Sequence, residues 1–255
     1  VAVGEQRLFQ AEVITEVQLD RTGFLWIGTR EGLFLHDGER FRKFQHEVGN
    51  PDSISSNGIR GVFEDSRGRL WINTISGGLN LLDRSRWRFV HYNHTGKAGG
   101  LSHDGVFALA EGAQGRLWVG TQAGLDELDP ATGHARAVPL QGKGGEFVMC
   151  LLRDRGGRLW VGTLGQGLFR SDDAGGFVPV TTGAGGTRLP EDIFSIAQDE
   201  AGRLWVGARD GLYRVGMGGP LEEVALQPAT AELVNITQLT PASGGSMWIG
   251  SFGAG

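Results

Sequence analysis

Short apolar runs alternate with Gly-, Asp- and Ser-bearing breaks along the whole chain, and residues 57–92 show the unit most clearly. Ile59-Arg60-Gly61-Val62-Phe63-Glu64 reads as an inner strand. Asp65-Ser66-Arg67-Gly68 follows as a tight hairpin turn, because Asp bonds its own backbone two residues on and Gly supplies a positive φ. Leu70-Trp71-Ile72 is the second strand, with Trp pointing away from its two aliphatic neighbours. After a loop over Thr74 to Gly78, Gly78 to Asp83 is the third strand and Arg88 to Tyr92 the fourth. Third strands are expected again from Leu33, Leu125, Leu168 and Leu212, and fourth strands near 41–44, 134–138, 176–180 and 221–226. The turn recurs at Asp20, Asp154 and Asp199, while Gly112 and Ala242 replace its Asp in two copies. No segment holds a capped 3.6-residue apolar period, so no long helix is expected.

The second strand carries a signature that appears six times, around Trp26, Trp71, Trp118, Trp160, Trp205 and Trp248. Successive tryptophans stand 45, 47, 42, 45 and 43 residues apart, and six of the seven Trp are used this way. A period of that length marks an array of like supersecondary units. Four antiparallel strands per unit, repeated radially, define an all-β chain of β-propeller type. The blades are placed at about 12–45, 57–92, 104–138, 146–180 and 191–226, with a partial blade at 234–255, all in one domain. Stacking hides blade faces that one sheet cannot hide, with Trp in the wedge. A buried Trp removes ~150–250 Å² from water, an upper bound of roughly 4–6 kcal/mol per blade. The Gly two residues after most of these Trp is expected to leave room for the indole. The last unit stops where a third strand should begin, which predicts a fragment of a longer propeller: five complete blades and part of a sixth. Open blade edges would then invite self-association.

Composition narrows the function. Gly is 44 of 255 residues, placed at fixed points of each unit, so it marks turns rather than disorder. Net charge is −5 with both signs mixed, and no basic stripe gathers phosphates, which argues against nucleic acid. Cys150, the one cysteine, sits in an apolar run and reads as a small core residue. No apolar stretch approaches the ~20 residues of a bilayer span, and no leader is visible at Val1. Any membrane link is expected from polypeptide outside these residues.

Candidate chemistry gathers where loops converge on one face. Fourteen residues before the repeat Trp stand Glu12, Asn57, Asp104, Glu146 and Glu191; Val234 breaks the series, with Asn235 beside it and Asp192 beside Glu191. His103 precedes Asp104. In register, these residues would rim a channel and hold a cation, an amine or sugar hydroxyls; alternatively they tie down loop backbone. The loops between second and third strands, Arg30-Glu31, Ile75-Ser76, Gln122-Ala123, Leu164-Gly165-Gln166 and Arg209-Asp210, vary on a constant frame, as recognition loops do. The histidines do not cluster, so no metal site is expected. The stretches Gly96–Gly100, Gly142–Gly145 and Gly183–Gly186 read as flexible connectors, and Trp87 as outer-edge packing. No catalytic constellation or cofactor site emerges from spacing.

The pattern Asp-x-x-Gly-Arg-Leu-Trp-Val-Gly-Thr followed by Gly-Leu resembles the two-component regulator propeller repeat. Asp65 to Thr74 with Gly78-Leu79, Asp154 to Thr163 with Gly167-Leu168, and Asp20 to Thr29 with Gly32-Leu33 carry the resemblance; Asn73, Ala208 and Ser251 depart from it. It implies a periplasmic sensor of a bacterial membrane receptor, with a histidine kinase or diguanylate cyclase output elsewhere in the protein. Some members of this kind bind carbohydrate fragments, so the implied partner is a small polar ligand, carbohydrate included, or a protein. The expectation is a non-catalytic extracytoplasmic sensor. Two alternatives stand beside it. One is an enzyme resembling streptogramin lyases or lactonases, with Glu146, Glu191, His103 and Asp104 as candidate groups; the other is an interaction scaffold.

Overall fold

The computed structural model describes residues 13–140, 146–181, 190–215, 221–225 and 235–252. It forms two compact units, Val1–Asn93 with Asp104–Val106, and His94–His103 with Phe107–Gly255.

The first unit holds two sheets. The first runs β1 (Ile14–Leu19), β2 (Leu25–Thr29), β3 (Gly32–His36), β4 (Phe41–Phe44); the second runs β5 (Ile59–Glu64), β6 (Leu70–Thr74), β7 (Leu79–Asp83), β8 (Arg88–Tyr92). Each strand pairs antiparallel with its sequence neighbour. The core lies between them, where Trp26, Leu33 and Phe44 meet Ile54, Ile59, Leu70 and Ile72.

The second unit holds the rest, except Val106, the first residue of its first strand, which belongs to the first unit. β9 (Val106–Glu111), β10 (Leu117–Thr121), β11 (Gly124–Asp129) and β12 (His134–Val138) form one meander. β13 (Phe147–Arg153), β14 (Leu159–Leu164), β15 (Leu168–Ser171) and β16 (Phe177–Pro179) form the next. β17 (Ile193–Gln198), β18 (Leu204–Ala208), β19 (Leu212–Val215) and β20 (Leu221–Glu223) follow, then the pair β21 (Ile236–Pro241) and β22 (Met247–Ser251). Apolar clusters sit between successive sheets: Val148, Val161 and Phe169 in one, Trp160, Ile193 and Val206 in the next, Leu212, Ile236 and Leu239 in the third. Five four-stranded meanders and a two-stranded one are the blades of a β-propeller fold. Among the described residues the helical pieces are single 3-10 turns at Ala113–Gly115 and Ser243–Gly245. They stand where Gly112 and Ala242 replace the turn Asp, and the hairpin still closes through Gly112 N–H to Arg116 O and Ala242 N–H to Ser246 O, both 2.9 Å.

The Asp does more than shape its turn. Asp20 Oδ1 accepts the N–H groups of Thr22 at 2.9 Å and Phe24 at 3.0 Å, and Oδ2 accepts the Trp26 indole N–H at 2.8 Å. The indole bond recurs from Trp71 to Asp65 at 3.0 Å, and from Trp160 to Asp154 and Trp205 to Asp199 at 2.8 Å. A buried indole N–H needs an acceptor, and a buried carboxylate needs donors; each satisfies the other. Arg69 and Arg203 reach the same carboxylates at 2.5 and 2.7 Å while lying over the Trp rings. Trp26, Trp71 and Trp160 are buried as expected, whereas Trp248 is 73% exposed.

The expected role of the glycine after Trp is corrected. A Cβ at Gly28 would lie 2.8 Å from Ile59 Cγ2, at Gly120 2.6 Å from Val148 Cγ1, and at Gly207 2.7 Å from Ile236 Cγ2. The glycine therefore makes a hole for the β-branched residue that begins the next inner strand, not for the indole. Asn73 takes this place in the β5–β8 sheet and donates from Nδ2 to Val106 O at 3.1 Å. Its cross-strand partner is Gly61, where a Cβ would lie 2.8 Å from Asn73 Oδ1. Bulk and gap have changed strands.

The reading of Gly96–Gly100 as a free connector is also corrected. Ala135 N–H donates to Gly99 O at 2.9 Å, so this segment pairs with the outer strand β12. The other two glycine stretches, 142–145 and 183–186, lie outside the described residues. Trp87 packs at the outer edge as expected, 5.9 Å from the Phe44 ring with Arg42 over it.

Candidate functional site: the loops leading into the inner strands

Five inner strands begin with a bulge against their second strand, seen between Ile14 and Glu16, Ile59 and Gly61, Val148 and Cys150, Ile193 and Ser195, and Ile236 and Gln238. A bulge bends the strand and re-aims the residues before it. Those residues hold most of the predicted site.

In the first unit, Asn57 and Asp104 border the loop after β6. Asn57 Oδ1 accepts the His46 N–H at 2.7 Å, which commits its side-chain oxygen to the loop. The Asp104 carbonyl accepts the Gly78 N–H at 2.8 Å, and Ile75 N–H donates to Gly58 O at 2.9 Å. Backbone from the segment ahead of an inner strand thus clasps the loop between second and third strands, both of its own sheet (Gly58) and of the preceding one (Asp104).

In the second unit the clasp repeats: Gly167 N–H donates to Glu191 O at 2.8 Å and Arg209 N–H to Asp192 O at 3.1 Å. Asp192 also works through its carboxylate, accepting the Gly165 N–H at 2.8 Å and pairing with Arg209 Nε at 2.5 Å. Asn235 takes a positive φ of 62° and donates its N–H to Arg209 O at 2.7 Å. Asp192, Arg209 and Asn235 therefore form one connected edge across three successive loops. Glu191 is exposed, His103 half-buried, and Glu146 only 4% exposed. Glu12 lies outside the described residues.

The structure thus brings Asp192 and Asn235 together around Arg209, and gives Glu146 and Glu191 different environments at one register. With Arg209 beside Asp192, this edge offers a donor–acceptor mixture suited to hydroxyl or amide ligands rather than a bare ring of acids. No group of three His, Cys, Asp or Glu side chains able to hold a metal occurs among the described residues. Sequence places Arg209 only in a variable loop; its ion pair with Asp192 in the same blade and its carbonyl's link to Asn235 ahead of the next had no local signal.

Three of the carboxylates that accept indole N–H groups, those of Asp20, Asp65 and Asp199, are held low. Burial pushes Asp20 up, but hydrogen bonds from Thr22, Trp26, Arg84 and Phe24 N–H outweigh it and hold it far below the ordinary carboxylate range. Asp65 and Asp199 are lowered by the same balance with Trp and Arg. Asp126 is the opposite: burial raises it against the Ser102 hydrogen bonds and the His94 charge. No helix among the described residues is long and apolar enough to cross a membrane.

The profile of the two-component regulator propeller matches at residues 53–76, 100–123, 142–165 and 188–210. No curated protein matches the chain in sequence. Among solved structures, the extracellular domain of the B. thetaiotaomicron one component system BT4673 aligns at TM-score 0.72 and 21% identity, over 94% of this chain and 33% of that one. The extracellular domain of the B. thetaiotaomicron hybrid two component system BT3049 aligns at TM-score 0.58 and 23% identity, over 95% and 39%. The chain therefore spans about a third of the length of these two. An inactive virginiamycin B lyase from Staphylococcus aureus, with Quinupristin, aligns at TM-score 0.75 and 14% identity, over 96% and 80%. These likenesses establish the fold, and the four matched segments, three of which hold an Asp-to-indole bond, identify what repeats in it: this chain carries two-component regulator propeller repeats.

Proposed function

We propose that this chain is the extracytoplasmic sensor part of a bacterial membrane signalling receptor, without catalytic activity of its own. It binds a small polar ligand, carbohydrate included, on the loops leading into the inner strands. The observation that carries the reading is the edge formed by Asp192, Arg209 and Asn235: mixed donors and acceptors held on a rigid repeat frame. The matched repeats and likeness to extracellular domains of signalling proteins support it. The test is calorimetric titration with a panel of neutral and amino oligosaccharides, repeated on Asp192→Asn and Arg209→Gln. Binding that weakens about tenfold in both variants, as expected for lost charge-assisted hydrogen bonds, supports the reading. Turnover of any panel member, or binding indifferent to both substitutions, overturns it.

A further inference from the structure

We propose a second binding site, for a small molecule carrying one phosphate, in the groove between residues 96–100 and the outer strand β12. The groove encloses about 450 Å³ and is lined by His94, Lys97, His134 and Arg136, with no acidic side chain in its lining. Two cationic side chains, Lys97 and Arg136, beside two imidazole rings and with no carboxylate in the lining, stand out on a chain of net charge −5. A concave positive region on an acidic molecule focuses field and concentrates anions.

The groove is built rather than incidental. Ala135 N–H to Gly99 O at 2.9 Å fixes the segment against β12. Gly99 has a φ of +96°, and a Cβ there would stand 2.9 Å from His134 Cδ2; only glycine lets the segment approach that ring. The far end is anchored by Ser102, whose N–H and hydroxyl donate to Asp126 at 2.8 and 2.6 Å, and by His94 Nδ1 at 2.7 Å from Leu101 O. Glu127 accepts from Arg136 at 2.9 Å and Arg116 at 3.1 Å, so one carboxylate is shared by two guanidiniums. Arg136 spends Nη2 on this pair, and its fork carries further donors. Lys97 makes no ion pair among the described residues and supplies a mobile point charge. Ala98, Ala135 and Ala137 form an apolar wall. The volume exceeds that of a bare oxyanion and falls in the lower part of the ~300–1,000 Å³ range of small-molecule sites, so the anionic group comes with a body attached.

The site lies on the outer strand of its blade and does not depend on the ligand proposed for the inner-strand loops. The test titrates the 255-residue chain in low-salt neutral buffer with glucose 6-phosphate, glucose and inorganic phosphate, by calorimetry and by amide chemical shifts. Glucose 6-phosphate is expected to bind, with shifts at 96–102 and 134–137, and glucose is not. Lys97→Gln and Arg136→Gln should each weaken binding about tenfold with unchanged melting temperature. Lys97→Gln has no ion pair to break, so its folding is safe. Phosphate binding with shifts elsewhere, affinity indifferent to Lys97→Gln, equal binding of glucose, or no binding at millimolar concentration overturns the proposal.

Discussion

Gly207→Ala tests the assignment of the post-tryptophan glycine as a hole for the next blade. The added Cβ would meet both Ile236 Cγ2 and the Ile236 carbonyl oxygen at 2.7 Å. Carbon contacts are favourable only near 3.5–4.0 Å, so about 1 Å must be recovered by shifting β18 from β21. Ile236 is fully buried and one of its two clashing atoms is backbone, which makes that shift expensive. Overpacking of this kind costs about 1–3 kcal/mol, offset by the roughly 0.5–1 kcal/mol that Ala gains over Gly inside a strand. The internal control is Gly250→Ala, at the same register, where the nearest atom is Gln238 Cβ at 3.3 Å. That substitution should be close to neutral, leaving a difference of about 1–2 kcal/mol between the two. Urea unfolding followed by tryptophan fluorescence measures both, and adding Ile236→Ala to Gly207→Ala should show a coupling of at least ~0.5 kcal/mol. Equal stability of the two single variants, or strict additivity in the cycle, would refute the packing argument.

Asp199→Ala leaves the Trp205 indole N–H and the Arg203 backbone N–H without their acceptor, so a loss of about 2–4 kcal/mol is expected in the same unfolding assay. Because Asp20, Asp65 and Asp199 are held below their unfolded values, their contribution is complete above the unfolded carboxylate range and is lost as pH falls toward their folded values; the urea midpoint should drop steeply below about pH 4. Asp126 runs the other way: its native form binds the proton more tightly, so its contribution falls as pH rises from the unfolded value through the raised folded one. Asp126→Asn copies Asn80, which binds Ser55 N–H at 3.0 Å and the Ser55 hydroxyl at 2.8 Å in the β5–β8 sheet; it should preserve folding at neutral pH and remove that part of the pH dependence.

What could be read from sequence was what repeats locally. The Trp spacing, the Asp turns and the alternation inside each run gave the blades, and strands such as Ile59–Glu64 and Phe41–Phe44 fall where expected. Contacts between sheets were not legible, because they join residues some 30–45 positions apart with no periodic mark. Gly28 and Ile59 are one such pair; the exchange of bulk between Gly61 and Asn73 rests on another, Asn73 to Val106. His46 and His94 looked like scattered histidines, yet their Nδ1 atoms lie 3.0 Å from Ile54 O and 2.7 Å from Leu101 O. Each holds a buried aliphatic residue ahead of an inner strand. The candidate site was half legible. Register found Asp192 and Asn235, but the partner that joins them, Arg209, follows from the backbone clasp between neighbouring loops.

The frame that presents these loops rests on four tryptophans bonded to turn carboxylates, and hydrogen exchange of the indole N–H groups by NMR measures it directly. The indoles of Trp26, Trp71, Trp160 and Trp205 should exchange slowly, and that of exposed Trp248, whose turn has Ala242 in place of Asp, should exchange fastest. Fast exchange at all four latched positions, or protection of Trp248 equal to theirs, would contradict the account.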